Sequence, residues 1–235
     1  MPLIDAIREA FALLAAGDPA LWQVVWISLK TTLLALLIAT PAAIVSGYAI
    51  AVHAFAGRRI VVWLLQASMS LPTVLIGLLL YLMLSRQAPL GSWHWLFSQP
   101  GIVFGQVLIG LPVLTAFTLA AVQAADLRLA ETAITLGASP WRVMRTVLHE
   151  VRFGVMAAVI SGFGRIISEV GCAIMVGGNI AGETRTITTA IALQTSKGEF
   201  AQGIALGIVL VVIALLVNAL LAVLQGDSRA ARGAS

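Results

Sequence analysis

The chain has 235 residues, of which 60% are hydrophobic and only 10% charged, with a mean hydropathy of +1.01. Soluble domains carry roughly a quarter charged residues, and the uncharged runs 60–85, 101–125 and 200–226 each exceed the roughly 20 residues that cross a bilayer core. A water-soluble enzyme is therefore excluded; the net charge of +4 is spread without a basic run for nucleic acid, and the single Cys172 excludes an intramolecular disulfide or a thiolate metal cluster.

Residues 1–24 read as an outer segment. Leu3, Ile4, Ile7, Phe11 and Leu14 recur at helical spacing, which predicts a surface helix over 1–16. The start lacks the basic n-region and small-residue cleavage site of a removable leader. Backbone groups in hydrocarbon are satisfied only within helices or closed barrels, and these runs are continuous rather than alternating, so the fold class is an all-α integral membrane protein. Five spans are predicted, at 25–51, 60–84, 101–123, 153–176 and 200–224. They make one transmembrane domain over 25–224, which includes a polar segment at 126–152 and is followed by a tail at 225–235.

Arg58, Arg59, Arg128, Arg142, Arg145, Arg152, Arg229 and Arg232 fall on one side of these spans, and only Arg8, Arg86, Arg185 and Lys197 on the other. The positive-inside rule puts the first set in the cytoplasm, with the N-terminus outside and the C-terminus inside. Lys30, in the first span, is expected to snorkel outward. Trp22, Trp26, Trp63, Trp93 and Trp95 sit near span ends, as interface anchors do. Pro72 and Pro112 fall mid-span, where proline frees a carbonyl and kinks a helix. Gly101-x-x-x-Gly105 and Gly203-x-x-x-Gly207 permit close helix approach.

Catalytic signatures are missing. His149-Glu150 opens like H-E-x-x-H, but position 153 is Phe, which leaves no second zinc ligand on that face. His53, His94 and His149 are isolated, and no nucleophile elbow or phosphate loop occurs. If ATP is used, another chain must bind it. The polar segment reads as two helices. The first runs from Asp126 to a C-terminal glycine, Gly137; the second starts with Ser139 as cap and Pro140 at the first helical position, and turns Val143, Val147 and Leu148 to one face. It is either a pair lying on its own membrane or a docking knob for a cytoplasmic partner.

The fourth span alone is broken by charge, with Arg165 and Glu169 four residues apart and so on one helical face. Such groups usually face a bundle interior or wet cavity, and this pair is either an internal glue or part of a path for an anion. Gly177-Gly178-Asn179 then ends the helix. The following outer segment carries Thr184, Arg185, Thr186, Thr188, Thr189, Thr195 and Ser196, donors suited to a tetrahedral dianion. Its stretch 186–193 reads as a short helix tucked back into the protein. The candidate path residues are Arg165, Glu169, Asn179, Arg185, Thr188 and Thr189.

Glu131-Thr132-Ala133-x-x-x-Gly137, with Ala138-Ser139-Pro140-Trp141-Arg142 and Val147, resembles the EAA loop of ABC-importer permeases. At the motif's end the family usually has Leu-Pro, where this chain has His149-Glu150. The resemblance implies the type I (MetI-like) importer permease fold. It further implies that Glu131, Ala133, Gly137, Ala138, Ser139, Pro140, Trp141 and Arg142 form a coupling helix docked on an ATP-binding subunit. The run 157–199, from Phe163-Gly164-Arg165 through Met175-Val176-Gly177-Gly178-Asn179 to Lys197-Gly198-Glu199, resembles the tungstate permeases. Molybdate and sulfate permeases share the architecture and stay open as alternatives, as does a secondary anion transporter or channel. The partners implied are a tungstate-binding protein outside, two ATPase subunits carrying ATP and Mg, a second copy of the chain, and membrane lipid. No cofactor, metal or nucleic acid is expected on this chain itself, which stays in the prokaryotic cytoplasmic (inner) membrane.

Overall fold

The computed structural model describes residues 3–125 and 128–232, so Asp126 and Leu127 of the expected loop and residues 233–235 of the expected tail lie outside the described residues. Among the described residues eleven α-helices follow in order: α1 (Leu3–Ala16), α2 (Pro19–Val52), α3 (Arg58–Met69), α4 (Thr73–Leu84), α5 (Gln99–Gln123), α6 (Arg128–Thr135), α7 (Pro140–Glu150), α8 (Arg152–Ile167), α9 (Gly171–Gly177), α10 (Ile187–Lys197) and α11 (Phe200–Arg232), with one 3-10 turn at Gly91–Trp93 between α4 and α5. No strand occurs among the described residues.

Among the described residues, three helices are long and apolar enough to span by themselves, within α2, α5 and the stretch Phe200–Leu220. The total reaches five if each of two bent helix pairs, α3 with α4 and α7 with α8, counts as one span. The second expected span is thus two helices. Pro72 does not kink a continuous helix; it stands in extended backbone as the residue before α4, because proline has no N–H to give to a preceding turn. Pro112, by contrast, lies inside an uninterrupted α5, and α2 carries a further internal proline, Pro41. The fourth expected span is also interrupted: α8 ends at Ile167 and the short α9 begins at Gly171.

The chain divides into two compact units. In the first (Met1–Ala35, Leu71–Ile109, Phe163–Val217), one cluster joins Ala10 of α1, Leu21, Val24 and Val25 of α2, Ile187 and Ala190 of α10, and Ala205 and Leu206 of α11. The expected surface helix forms as α1, but it buries the small Ala6 and Ala10 and leaves Ile4 and Phe11 exposed. A second cluster joins Leu80 and Leu84 of α4, Ile109 of α5, and Cys172 and Val176 of α9. Glycine permits this packing. A Cβ on Gly77 would lie 2.8 Å from Cys172 Cα, and one on Gly105 would lie 2.5 Å from Cys172 Sγ. The Gly101/Gly105 pair therefore marks a close approach. The Gly203/Gly207 pair does not: a Cβ on Gly203 meets nothing nearer than 3.6 Å, and one on Gly207 nothing within 4 Å.

In the second unit (Leu36–Ser70, Gly110–Gly162, Asn218–Ser235), Tyr48, Val122 and Val147 form a buried cluster flanked by Ala51, Ala130, Met144, Leu148 and Val151. Here too a missing side chain sets helix distance, since a Cβ on Gly154 would lie 2.7 Å from the Cβ of Ala121. Ser46 and Thr115 meet hydroxyl to hydroxyl at 3.3 Å. Arg58 donates from Nε to the carbonyl of Ile50 at 2.7 Å, which satisfies an orphan acceptor at the end of α2.

Candidate functional site

Two sites were expected, and each lies within one unit. The first is the α6–α7 turn. Gly137 adopts φ +77°, its N–H donates to Ile134 O at 2.9 Å and the Ala138 N–H donates to Ala133 O at 3.0 Å. This double closure is a Schellman ending, which requires a left-handed residue after the helix and therefore favours glycine. Ala133 and Ala138, the residues joined by that backbone bond, are both half-buried. Ser139 stands at the N-cap of α7 in extended backbone with Pro140 following, but its hydroxyl makes no capping bond, a correction to the expected cap. The start of α7 is exposed, so solvent competes for those donors.

The two faces of α7 differ. Val143 and Val147 are buried and Leu148 half-buried, as the spacing predicts, while Trp141, Arg142, Arg145, Thr146, His149 and Glu150 are exposed. On α6, Glu131, Ile134 and the following Leu136 are also exposed. Polar heads, Trp141 at 66% and Leu136 at 82% exposure together give this turn both charged and apolar surface. Isolated surface hydrophobics are ordinary, but grouped ones rimmed by charge mark contact sites.

The second site is built from the end of α8, α9 and α10. Arg165 pairs with Glu169 at 2.9 Å, their side chains 33% and 2% exposed. Glu169 lies beyond the end of α8 and not on its face, yet the four-residue spacing still lets the two meet. Its other carboxylate oxygen accepts the Cys172 N–H at 3.0 Å, which caps the first turn of α9 with a negative charge. Its carbonyl accepts the Thr188 hydroxyl at 2.7 Å.

Thr188 continues the chain of bonds. Its hydroxyl meets that of Thr186 at 3.2 Å, and Thr186 forms a reciprocal capping box with Thr189 at the start of α10. Thr189 O accepts from Asn179 Nδ2 at 3.3 Å, and Asn179 O accepts from Arg185 at 3.3 Å. All six expected path residues therefore belong to one hydrogen-bonded network, joined through Thr186. Thr188 and Thr189 are 7% and 0% exposed and already bonded, so they hold α10 in place; Arg165 keeps the exposed donors. The glycine break falls where expected, with Gly178 at φ +71° and Asn179 at φ +52°, and α10 begins one residue after the expected start.

Two contributors were not among the six expected path residues. Gly164, one residue before Arg165, has nothing within 4 Å of where its Cβ would stand, and it leaves open space beside the guanidinium's backbone. Thr184 ties the outer turn down, donating to Gly177 O at 2.6 Å and accepting from the Ile180 N–H at 2.9 Å. Lys30 does not simply snorkel: its Nζ donates to Gln99 at 2.9 Å, and Gln99 donates to Glu183 O at 2.8 Å.

Residues 39–229 match the family of binding-protein-dependent transport system inner membrane components. The chain is 34% identical to the tungstate uptake system permease protein TupB of Campylobacter jejuni, over 92% of its own length and 90% of that protein's. It is 32% identical to the molybdenum transport system permease protein ModB of Escherichia coli K12, covering 87% and 94% of the two chains. A bacterial alginate ABC transporter, solved in complex with an alginate pentasaccharide-bound periplasmic protein, superposes with a TM-score of 0.69 at 21% identity. That match covers 85% of this chain and 76% of that one, a likeness of fold.

The class these features define is the multi-pass permease of the inner membrane, all-helical and built on the fold of ABC importers. The chain belongs to the binding-protein-dependent transport system inner membrane components.

Proposed function

We propose that the chain is the transmembrane subunit of an ATP-driven importer that takes tungstate into the cytoplasm. The observation that carries the cargo is the likeness to a tungstate uptake permease over nine-tenths of both chains. The likeness to a molybdenum permease makes molybdate the second reading. In this proposal five spans, with the N-terminus outside, pair with those of a second copy. A binding protein delivers the anion from outside, and ATP and Mg act on two partner ATPase subunits. The α6–α7 turn, with Glu131, Ala133, Gly137, Ala138, Ser139, Pro140, Trp141 and Arg142, is the docking element. Pro72 is the bend at which α3 and α4 rearrange, and Pro112 a point of give within α5.

Arg165 is the group that meets the anion. A guanidinium carries five donors, and Glu169 takes one bond of 2.9 Å, so others remain for oxyanion oxygens. The buried carboxylate also keeps the pair neutral, which lowers the hold on a dianion and favours release over trapping. Glu169, Asn179, Arg185, Thr188 and Thr189 set the position of Arg165 and of α10 around it.

The test is tungstate uptake by the complete complex in liposomes. Tungstate is expected to drive uptake and to stimulate ATPase activity, with sulfate competing poorly; equal competition by molybdate would move the cargo to the second reading. Arg165→Ala should abolish uptake while complex yield stays normal. Full transport in that variant would refute the path assignment, and transport without any ATPase subunit would refute the importer reading.

A further inference from the structure

The second unit holds a basic hollow that the transport reading does not use. A cavity of about 230 Å³ is lined by Arg58, Arg59, Val62, Trp63, Gln66 and Gln123. None of these is acidic, and no Asp or Glu occurs anywhere between Asp18 and Asp126. The two arginines differ in commitment. Arg58 is fastened to the Ile50 and Ala51 carbonyls at 2.7 and 3.4 Å, whereas Arg59 is exposed and has no hydrogen-bond or ion-pair partner among the described residues.

The helix behind the hollow leaves its apolar side chains uncovered by the rest of the described chain. Of the twelve residues of α3, none is buried, and Ile60, Trp63 and Leu64 are 63%, 64% and 53% exposed. Its N-cap is Gly57, at φ +88° and without a side-chain cap, so the positive end of the helix adds to the two guanidinium charges. One element thus offers cations at the hollow and apolar side chains beside it. That combination complements a molecule with an anionic head and an acyl tail.

We propose that this hollow binds the phosphate of an anionic phospholipid, with Arg59 as the free cationic anchor, Arg58 as a fixed wall, and Ile60, Trp63 and Leu64 against the acyl chains. Free phosphate lacks the apolar half of the match, and the site is assigned to the lipid. Because this lipid site does not depend on the cargo, it stands or falls separately from the tungstate reading.

Trp63 serves as the reporter. The full-length chain would be placed in phosphatidylcholine bilayers, with brominated-acyl phosphatidylglycerol or brominated-acyl phosphatidylcholine added at equal mole fraction. The signal is the quenching lost in Trp63→Phe. A basic group near a lipid phosphate contributes enough to favour the anionic lipid about five-fold. Arg59→Gln should cut the preference by about that factor, leaving the share of Arg58 and the helix end, and Arg59→Lys should keep most of it. Equal quenching by both lipids in the unaltered chain would overturn the proposal. So would a preference that Arg59→Gln leaves unchanged, or one that millimolar inorganic phosphate abolishes. Circular dichroism matched across the variants, together with the lysine rescue, separates lost binding from lost structure.

Discussion

Replacing Gly137 by alanine separates the backbone geometry of the α6–α7 turn from its packing. A Cβ at this position meets nothing within 4 Å, so no side chain needs to move. The whole cost is conformational: Gly137 sits at φ +77°, and an L-residue held left-handed loses about 1–2 kcal/mol. The two closing bonds, 2.9 Å from Gly137 N to Ile134 O and 3.0 Å from Ala138 N to Ala133 O, both depend on that conformation. If the turn must be closed to dock, an opening penalty of this size weakens capture of the ATP-binding subunit by about five- to thirty-fold. The assay is a gentle-detergent pull-down titrated with that subunit, alongside thermal melting of the permease alone. Gly137→Asn, which tolerates the left-handed region, should lose much less, and Gly137→Val at least as much as alanine. An asparagine variant as impaired as the alanine one would refute the conformational argument. A fully active alanine variant would refute the claim that this turn must close.

Packing of α9 gives a second test: Gly105→Ala drives a methyl toward Cys172 Sγ, 2.5 Å from the new Cβ. Overpacking of this kind costs about 1–3 kcal/mol; the melting temperature should fall and should recover in part when Cys172→Ala is added, and simple additivity of the two would count against the contact. At α10, Thr186→Ala removes the capping box, worth about 1 kcal/mol. Hydrogen exchange of the Thr188 and Thr189 amides should quicken while that of α4 is unchanged, and equal protection in both forms would show that packing alone holds α10.

How much of this was legible beforehand depends on how local the cause is. The Schellman turn at Gly137 and the break at Gly178-Asn179 were readable because few residue types adopt positive φ, so their positions announce the geometry. The face of α7 was readable from spacing, and Val143 and Val147 are buried as that spacing requires. The 165/169 spacing forecast the ion pair correctly, though not that Glu169 would lie past the end of its helix and cap the next one.

Composition by itself determined that the chain is helical and lives in a bilayer, since long uncharged runs cannot satisfy their backbone in hydrocarbon any other way. Hydropathy, however, measures how apolar a run is and carries nothing about its direction. The division of the second expected span at Ser70–Pro72 and of the fourth at Ser168–Val170 was decided by what packs there: a Cβ on Gly171 would lie 2.6 Å from Val74 Cγ2 and 3.0 Å from Val74 N. Likewise Pro72 ends a helix while Pro41 and Pro112 ride inside theirs. A proline inside a helix costs one intrahelical bond wherever it falls, and the surrounding contacts decide whether the helix runs through it. The threonine network is the clearest case. Hydroxyls that looked from the sequence like donors for a passing anion are turned inward by the closure of α10 on Glu169 and Ser28, because a buried hydroxyl without a partner is costly and the fold supplies partners within reach.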